Sequence, residues 1–148
     1  MRIELALIAA ALLAGPASAA QEQPRTNEAA ELSRQLGSGG LTGRKLAEAI
    51  AKAEAFPLGS KDNPVRANMP QGEQAYLRSL RCADGQAPEF MRSGSSGTGV
   101  YGYILDAYDV RCAGKDAVSV MIDMYHDHVE RRPVPGFVVA SAPPTPTS

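Results

Sequence analysis

Alternating apolar and polar residues identify the C-terminal half of the chain as the part that forms a sheet. Two runs, 100–112 and 117–126, repeat apolar residues at every second position over much of their length. This is the period at which the side chains of a strand share one face. Gly114-Lys115 lies between the runs, and glycine at the first central position favours a type II′ turn. The pattern predicts a β-hairpin, preceded by a strand at 87–92 and a bend at 93–99.

Helical spacing appears earlier, in residues 72–81. Tyr76, Leu77 and Leu80 recur there at intervals that place them on one side of a helix. We therefore expect a short helix that turns these three side chains toward the sheet.

Residues 20–56 differ in character from the rest of the chain. Up to residue 55 they are rich in Ala, Glu, Lys and Arg and contain no aromatic residue. They predict one helix that ends at Gly37 and a second that begins after Thr42 and ends before Pro57. Whether this helical arm docks on the core stays open at this point. The apolar faces of the two helices carry Ala29, Leu32, Leu36, Leu46, Ala49, Ile50 and Ala53.

The first 19 residues have the pattern of a secretory signal peptide. An apolar run from Leu5 to Ala14 is followed by Gly-Pro and then by Ala-Ser-Ala, a small-residue cleavage pattern. The run is too short for a membrane-spanning helix, which needs about 20 residues. We expect cleavage after Ala19 or Ala20, a periplasmic or secreted location, and no membrane span after the signal is removed.

Charge and cysteine content narrow the function classes. The net charge of −1 gives no electrostatic basis for nucleic-acid binding. Cys82 and Cys112 are the only cysteines, and an even count in an exported protein predicts a disulfide. That bridge would draw the end of the 72–81 helix over the hairpin face that carries Cys112.

Together these features predict an α+β fold. We expect a small antiparallel sheet of about three or four strands, one packed helix held by the disulfide, and the helical N-terminal arm. The predicted divisions are the signal peptide 1–19, the arm 20–56, a compact domain 57–140 and a disordered tail 141–148.

A hairpin centred on Gly114-Lys115 places two carboxylates opposite each other. In that register Asp106 faces Asp123, and like charges on directly paired residues are destabilising. Three explanations stay open: an arginine between them, a bound cation, or a raised pKa of one carboxyl group. A carboxylate pair of this kind could serve acid/base chemistry, and an arginine-bridged structural cluster is the alternative. The available arginines are Arg66, Arg78, Arg81 and Arg92. Together with Tyr108 and Tyr125 on the same face, the two aspartates form a candidate binding rim.

His126 and His128 are the second candidate group. On a strand, His-x-His directs both imidazoles to one face, a spacing found in zinc and copper sites. A third ligand is required, and Asp123, Asp127 or Glu130 could supply it if the strand ended at Tyr125. The alternative is that they are two half-exposed histidines at the end of a strand and bind no metal. We adopt this second interpretation and predict no metal and no other cofactor.

The sequence gives little support for a phosphate-binding loop or for a catalytic serine. The glycine-rich stretch SGSSGTG lacks the spacing and the lysine of a phosphate-binding P-loop. No serine lies in a G-x-S-x-G elbow.

Several segments of the core resemble a family of small exported proteobacterial proteins of unknown function. The similarity covers residues 57–137 and includes the motifs NPVR, YLRSLRC and DMYH. It implies a periplasmic or secreted protein with one compact domain, and it implies no substrate or catalytic residue.

The sequence thus favours a non-enzymatic periplasmic binding or envelope-accessory module. Its partner would be an unknown protein or a small ligand. The alternative is a metal-binding protein or hydrolase-like enzyme that uses Asp106, Asp123, His126 and His128.

Overall fold

The computed structural model of the protein describes residues 39–140. The predicted signal peptide, the first arm helix and the tail lie outside the described residues. None of the helices within 39–140 is long and apolar enough to cross a membrane. The helices are α1 (Gly43–Ala53) and α2 (Met69–Ser79), and the strands are β1 (Val65–Arg66), β2 (Leu80–Arg81), β3 (Glu89–Thr98), β4 (Ile104–Arg111), β5 (Val118–Asp123) and β6 (Val138–Val139).

The main sheet has four strands in the order β1-β5-β4-β3. The β3–β4 and β4–β5 pairs are antiparallel, whereas β1 runs parallel to β5 at one edge. A second, two-stranded sheet joins β2 to β6. The predicted α+β fold with a small sheet is confirmed, and the parallel edge strand is an addition to the predicted antiparallel arrangement.

Helix α2 covers one face of the main sheet. It follows Asn68 and has a proline in its first turn, where the missing N–H removes no helical hydrogen bond. It begins before the predicted start and ends at Ser79, because Leu80 is extended and enters β2. Tyr76, Leu77 and Leu80 are all buried, as the spacing predicts.

The predicted disulfide between Cys82 and Cys112 is confirmed, with a Cα–Cα separation of 5.9 Å. It connects the segment after β2 to the end of β4, which keeps α2 over the face that carries Tyr108 and Val110. The two cysteines are 30 positions apart in the sequence. In the chain-entropy model, a bridge that closes a loop of this length stabilises the fold by about 3–4 kcal/mol.

Strand β3 is longer than the sequence predicts. It continues to Thr98 through the segment predicted to be a bend. Gly94 and Gly97 have φ angles of 146° and 74°, and the pairing with β4 shifts register at both places. These irregularities let a glycine-rich segment stay paired while it twists.

The hairpin register is offset by one residue from the predicted one. The Lys115 N–H donates to the Cys112 carbonyl at 3.1 Å, so the tight turn is centred on Ala113-Gly114. Gly114 has φ 69° and occupies the second central position rather than the first. One extra residue separates this turn from the paired part of β5, so each residue of β4 faces a partner one position earlier in β5 than predicted.

The second arm helix docks on the core. The apolar face of α1 packs on Tyr101, Tyr103 and Tyr125, and Ala53 is buried there. The Leu41 N–H also donates to the Tyr101 carbonyl at 2.7 Å. The sequence did not decide whether the arm docks on the core, and the structure shows that residues 39–53 do.

Candidate functional site

Asp106 and Asp123 lie on opposite faces of the sheet, which overturns the predicted carboxylate pair. Asp106 is paired with Ile122, and because successive side chains of a strand alternate, Asp123 points to the other side. Asp106 instead forms an ion pair with Arg92, whose Nη2 lies 2.6 Å from Oδ1. One of the predicted explanations was an arginine between the two carboxylates. Arg92 is such an arginine, but it pairs with Asp106 alone.

The predicted binding rim is not one surface. Tyr108 and Asp123 are 3% and 0% exposed, whereas Asp106 and Tyr125 are partly exposed. Tyr125 stacks on Tyr103 with ring centroids 5.4 Å apart. The one-residue shift of register is the reason that these side chains separate.

Asp123 and His126 form a buried pair. Nε2 of His126 lies 3.1 Å from Oδ2 of Asp123, although the two atoms are not aligned for a hydrogen bond. Oδ1 of Asp123 accepts the Tyr125 N–H at 3.1 Å. The rings of Tyr101 and Tyr103 lie nearly perpendicular to the imidazole, with centroids 5.2 and 5.5 Å from its own. The pair is sealed from solvent by aromatic rings.

His128 belongs to a different group. Its Nε2 lies 3.8 Å from Oε2 of Glu130. Burial alone would raise the pKa of Glu130, but hydrogen bonds from the Arg132 side chain and from the backbone N–H groups of Arg131 and Arg132 lower it to about 2. Arg132 also makes two contacts to Glu54, at 2.7 and 3.1 Å. This network ties the end of α1 to the segment after β5.

The two histidines do not form the predicted His-x-His pair. Strand β5 ends at Asp123, so the alternation that would align both imidazoles stops before His126. Within residues 39–140, no three His, Cys, Asp or Glu side chains are grouped so that they could hold a metal ion.

The sequence reasoning missed Glu73, a buried carboxyl group on α2. Glu73 is 2% exposed, and Oε2 accepts a hydrogen bond from the Tyr108 hydroxyl at 3.0 Å. Burial, followed by repulsion from Asp106, raises its pKa to about 7. The signal was present in the sequence, because Glu73 lies three and four residues before Tyr76 and Leu77 and so shares their inward face.

A groove, which we call the α2 groove, lies beside the outer flank of α2. Its volume is about 280 Å³. The helix contributes small residues to one wall, the segment after β5 forms a second wall, and the end of β6 closes a third side. The lining consists of Arg66, Ala67, Gly72, Ala75, Tyr76, Ser79, His128, Val129, Glu130, Arg131, Val139 and Ala140.

Two arginines of the α2 groove have no ionic partner. Within residues 39–140, neither Arg66 nor Arg131 forms an ion pair, and neither side chain forms a hydrogen bond. Glu130 is the only acidic residue in the lining, and Arg132 occupies both of its oxygens. Burial, followed by the charge of Arg66, lowers the pKa of His128, so its imidazole is neutral at pH 7.

A second cavity of about 330 Å³ adjoins the disulfide. Its charged lining residues are of both signs, Lys115 with Asp84 and Asp116, and its apolar lining includes Val118 and Phe137. The α2 groove differs because its one acidic lining residue, Glu130, is already held by Arg132.

The sequence matches no family model, and no curated protein and no solved structure is similar enough to it to count as a match. Function is therefore inferred from the geometry of these residues.

Proposed function

We propose that the protein is an exported, non-enzymatic binding module whose ligand site is the α2 groove. The observation that carries this proposal is the concave, largely apolar lining of the α2 groove, where the one acidic residue, Glu130, is already held by Arg132. A concave, mostly apolar site with a few polar groups is typical of ligand binding. The volume of about 280 Å³ is suited to a small ligand or to one side chain of a partner protein.

The separation of the titratable groups supports a binding role over catalysis. General acid/base catalysis requires a group within hydrogen-bond reach of the substrate. Glu73, Asp123 and His126 are buried and Asp106 is held by Arg92, so of these groups and His128 only His128 lines the α2 groove. The hydrolase-like or metal-binding alternative needs Asp106, Asp123 and the two histidines together, whereas among the described residues the Asp123–His126 pair is the only contact between members of this set.

Export is supported by two features. The segment 1–19 has the sequence pattern of a signal peptide, and the Cys82–Cys112 bridge is typical of oxidising compartments. We infer a periplasmic or secreted location, in agreement with the resemblance noted for residues 57–137.

A fragment screen by NMR tests the binding proposal. The ¹⁵N-labelled protein is titrated with small anionic, cationic and neutral fragments at millimolar concentration. We expect the fragments that bind to shift the amide signals of 72–79, 128–131 and 139–140.

Two variants sharpen the screen. Ala75→Leu fills the α2 groove from the exposed flank of the helix and should abolish those shifts. Ala47→Leu makes the same change at an exposed position of α1, outside the groove, and should preserve them. The proposal would be contradicted by fragments that bind without shifting the amide signals of the groove. It would also be contradicted by shifts that persist in Ala75→Leu.

A further inference from the structure

We infer that residues 141–144, the first four residues of the tail, lie in the α2 groove of the free protein and compete there with the ligand. This inference rests on the proposed function and adds the regulation of the same site. The four residues have the sequence Ser-Ala-Pro-Pro and follow directly on Ala140, the last residue that the structure describes.

Strand β6 leads the chain to one end of the groove and directs it along α2. The strand is antiparallel to β2, with Val139 opposite Leu80, and the Ala140 N–H donates to the Ser79 carbonyl at 2.8 Å. Each step along β6 therefore moves back along the partner segment, from β2 toward α2. Val139 and Ala140 themselves line the groove. A chain that continues in this direction passes Ser79 and runs toward the start of α2.

Small residues of α2 form one wall along that path. Gly72, Ala75 and Ser79 lie at i, i+3 and i+7 and share one face of the helix, and all three line the groove. From Ser79 to Gly72 the helix rises about 10 Å. A polyproline II segment covers the same distance in about three or four residues. Residues 141–144 thus match the length of this wall.

The groove exposes apolar surface that the segment would cover. Ala75 is exposed on the helix, and Val129 on the opposite wall is 68% exposed. Val139 lines the third side and is half-buried. Each methyl or methylene group that is withdrawn from water should favour the docked state about fourfold.

The composition of the segment suits a largely apolar groove. Residues 141–144 carry no charged side chain, and only Ser141 and Ala142 have a backbone N–H group, because proline has none. Few donors are therefore left without a hydrogen-bond partner when the segment docks. Polyproline II geometry contains no internal hydrogen bonds. The prolines also restrict the free segment to an extended form, which reduces the conformational entropy that docking removes.

The segment regulates ligand affinity because it is tethered at the groove. Its connection to Ala140 gives it an effective concentration in the millimolar range, as is typical of short flexible linkers. A weak contact is therefore sufficient to occupy the groove for much of the time. If half of the molecules have the segment docked, the affinity for a ligand falls about twofold, because only the open fraction binds.

NOE spectra of the disulfide-bonded chain without its predicted signal peptide test the position of the segment. We expect NOEs from the Ala142 methyl group and the Pro143 ring to the methyl groups of Ala75 and Val129. The NOEs to Val129 should be lost in Ala75→Leu, because the larger side chain fills the groove. They should persist in Ala47→Leu, the matched change on α1.

A variant that ends at Ala140 measures the effect of the segment on the ligand. It retains every residue that the structure describes. Its amide signals should differ from those of the full chain at 72–79 and 128–131 and coincide with them at 89–98 in β3. Fragments that bind in the α2 groove should bind this shortened variant at least about twofold more tightly than the full chain.

Two matched substitutions in the full chain locate the contact within the tail. Pro143→Lys brings a charged side chain and an additional N–H group into the groove, and should increase fragment affinity as much as removal of the tail does. Pro146→Lys makes the same change beyond residues 141–144 and should leave fragment affinity unchanged.

The outcomes separate this inference from the proposed function. If no NOE joins the segment to Val129, or if fragments bind the full chain as tightly as the shortened variant, the inference is wrong while the binding site stands. If Pro146→Lys increases affinity as much as Pro143→Lys, the position assigned to residues 141–144 is wrong. If the NOEs are present and no fragment binds in the groove even of the shortened variant, the position of the segment is confirmed and the proposed function fails.

Discussion

Replacement of Glu73 by glutamine tests the electrostatics of the core in a single residue. The carboxyl group is 2% exposed, and one oxygen, Oε1, has no hydrogen-bond partner among residues 39–140. Burial and the nearby Asp106 raise its pKa from an ordinary value of 4.5 to about 7. Glutamine has almost the same shape and cannot ionise, so the variant removes the charge and keeps the packing.

The sign of the pH dependence follows from the raised pKa. Between about pH 4.5 and pH 7 the folded protein keeps a proton that the unfolded chain releases, so stability falls as the pH rises through this window. A difference of about 2.5 pKa units corresponds to about 3 kcal/mol. The stability of the Glu73→Gln variant should not fall in this way as the pH rises. Its new amide donor replaces an oxygen without a partner, which costs about 1 kcal/mol at every pH.

Urea unfolding at pH 5 and at pH 8 measures the effect. We expect Glu73→Gln to be slightly less stable than the wild type at pH 5 and about 2 kcal/mol more stable at pH 8. Glu48→Gln is the matched control, because Glu48 is exposed on α1 and makes only a 3.7 Å contact to Arg44. If the stability difference between wild type and Glu73→Gln changes by less than about 1 kcal/mol between the two pH values, Glu73 does not carry the charge penalty described here.

Three further changes should affect stability in defined ways. Arg132→Ala removes hydrogen bonds from the buried Glu130 and should lower the free energy of unfolding by about 2–3 kcal/mol at pH 7; an unchanged urea midpoint would contradict this. Gly40→Ala would place a methyl group against the ring of Tyr103, and faster amide exchange in α1 should show that the arm has been displaced. Reduction of the disulfide should lower stability by about 3–4 kcal/mol, measured as a decrease in Tm, and an unchanged Tm would show that the bridge closes a loop already ordered in the unfolded chain.

Local pattern predicted much of the fold. Periodicity located α2 and its buried side chains, because an amphipathic helix must turn its apolar face to the core. The cysteine count, combined with the expected export, predicted the bridge and which face of the hairpin α2 covers. These inferences depend on short stretches of sequence or on one covalent link.

The hairpin register shows where local pattern is insufficient. Gly114 adopts the positive φ that the turn requires, but glycine fits either central position of a turn with one such residue. The alternation of apolar residues on both faces of β4 does not decide between them, and it does not reveal the extra residue that follows the turn before β5 pairs. A shift of one residue moves every side chain of β5 relative to its predicted partner, and with it the entire predicted carboxylate site.

The α2 groove could not be predicted from local sequence. Its residues come from β1, α2, the irregular segment after β5 and the end of β6, and only the tertiary fold brings these together. The lack of an ionic partner for Arg66 is equally a property of the packed chain. Glu73, in contrast, was accessible to a helical-wheel reading of α2.

The most direct test of the central claim is a measurement of intermolecular NOEs between a fragment that binds and the methyl groups of the protein. We predict NOEs from the fragment to Ala75, Val129 and Val139, and loss of those to Val129 and Val139 in Ala75→Leu. NOEs that instead reach Val118 beside the disulfide, or no NOEs to the three groove methyl groups at a saturating concentration of the fragment, would contradict the account.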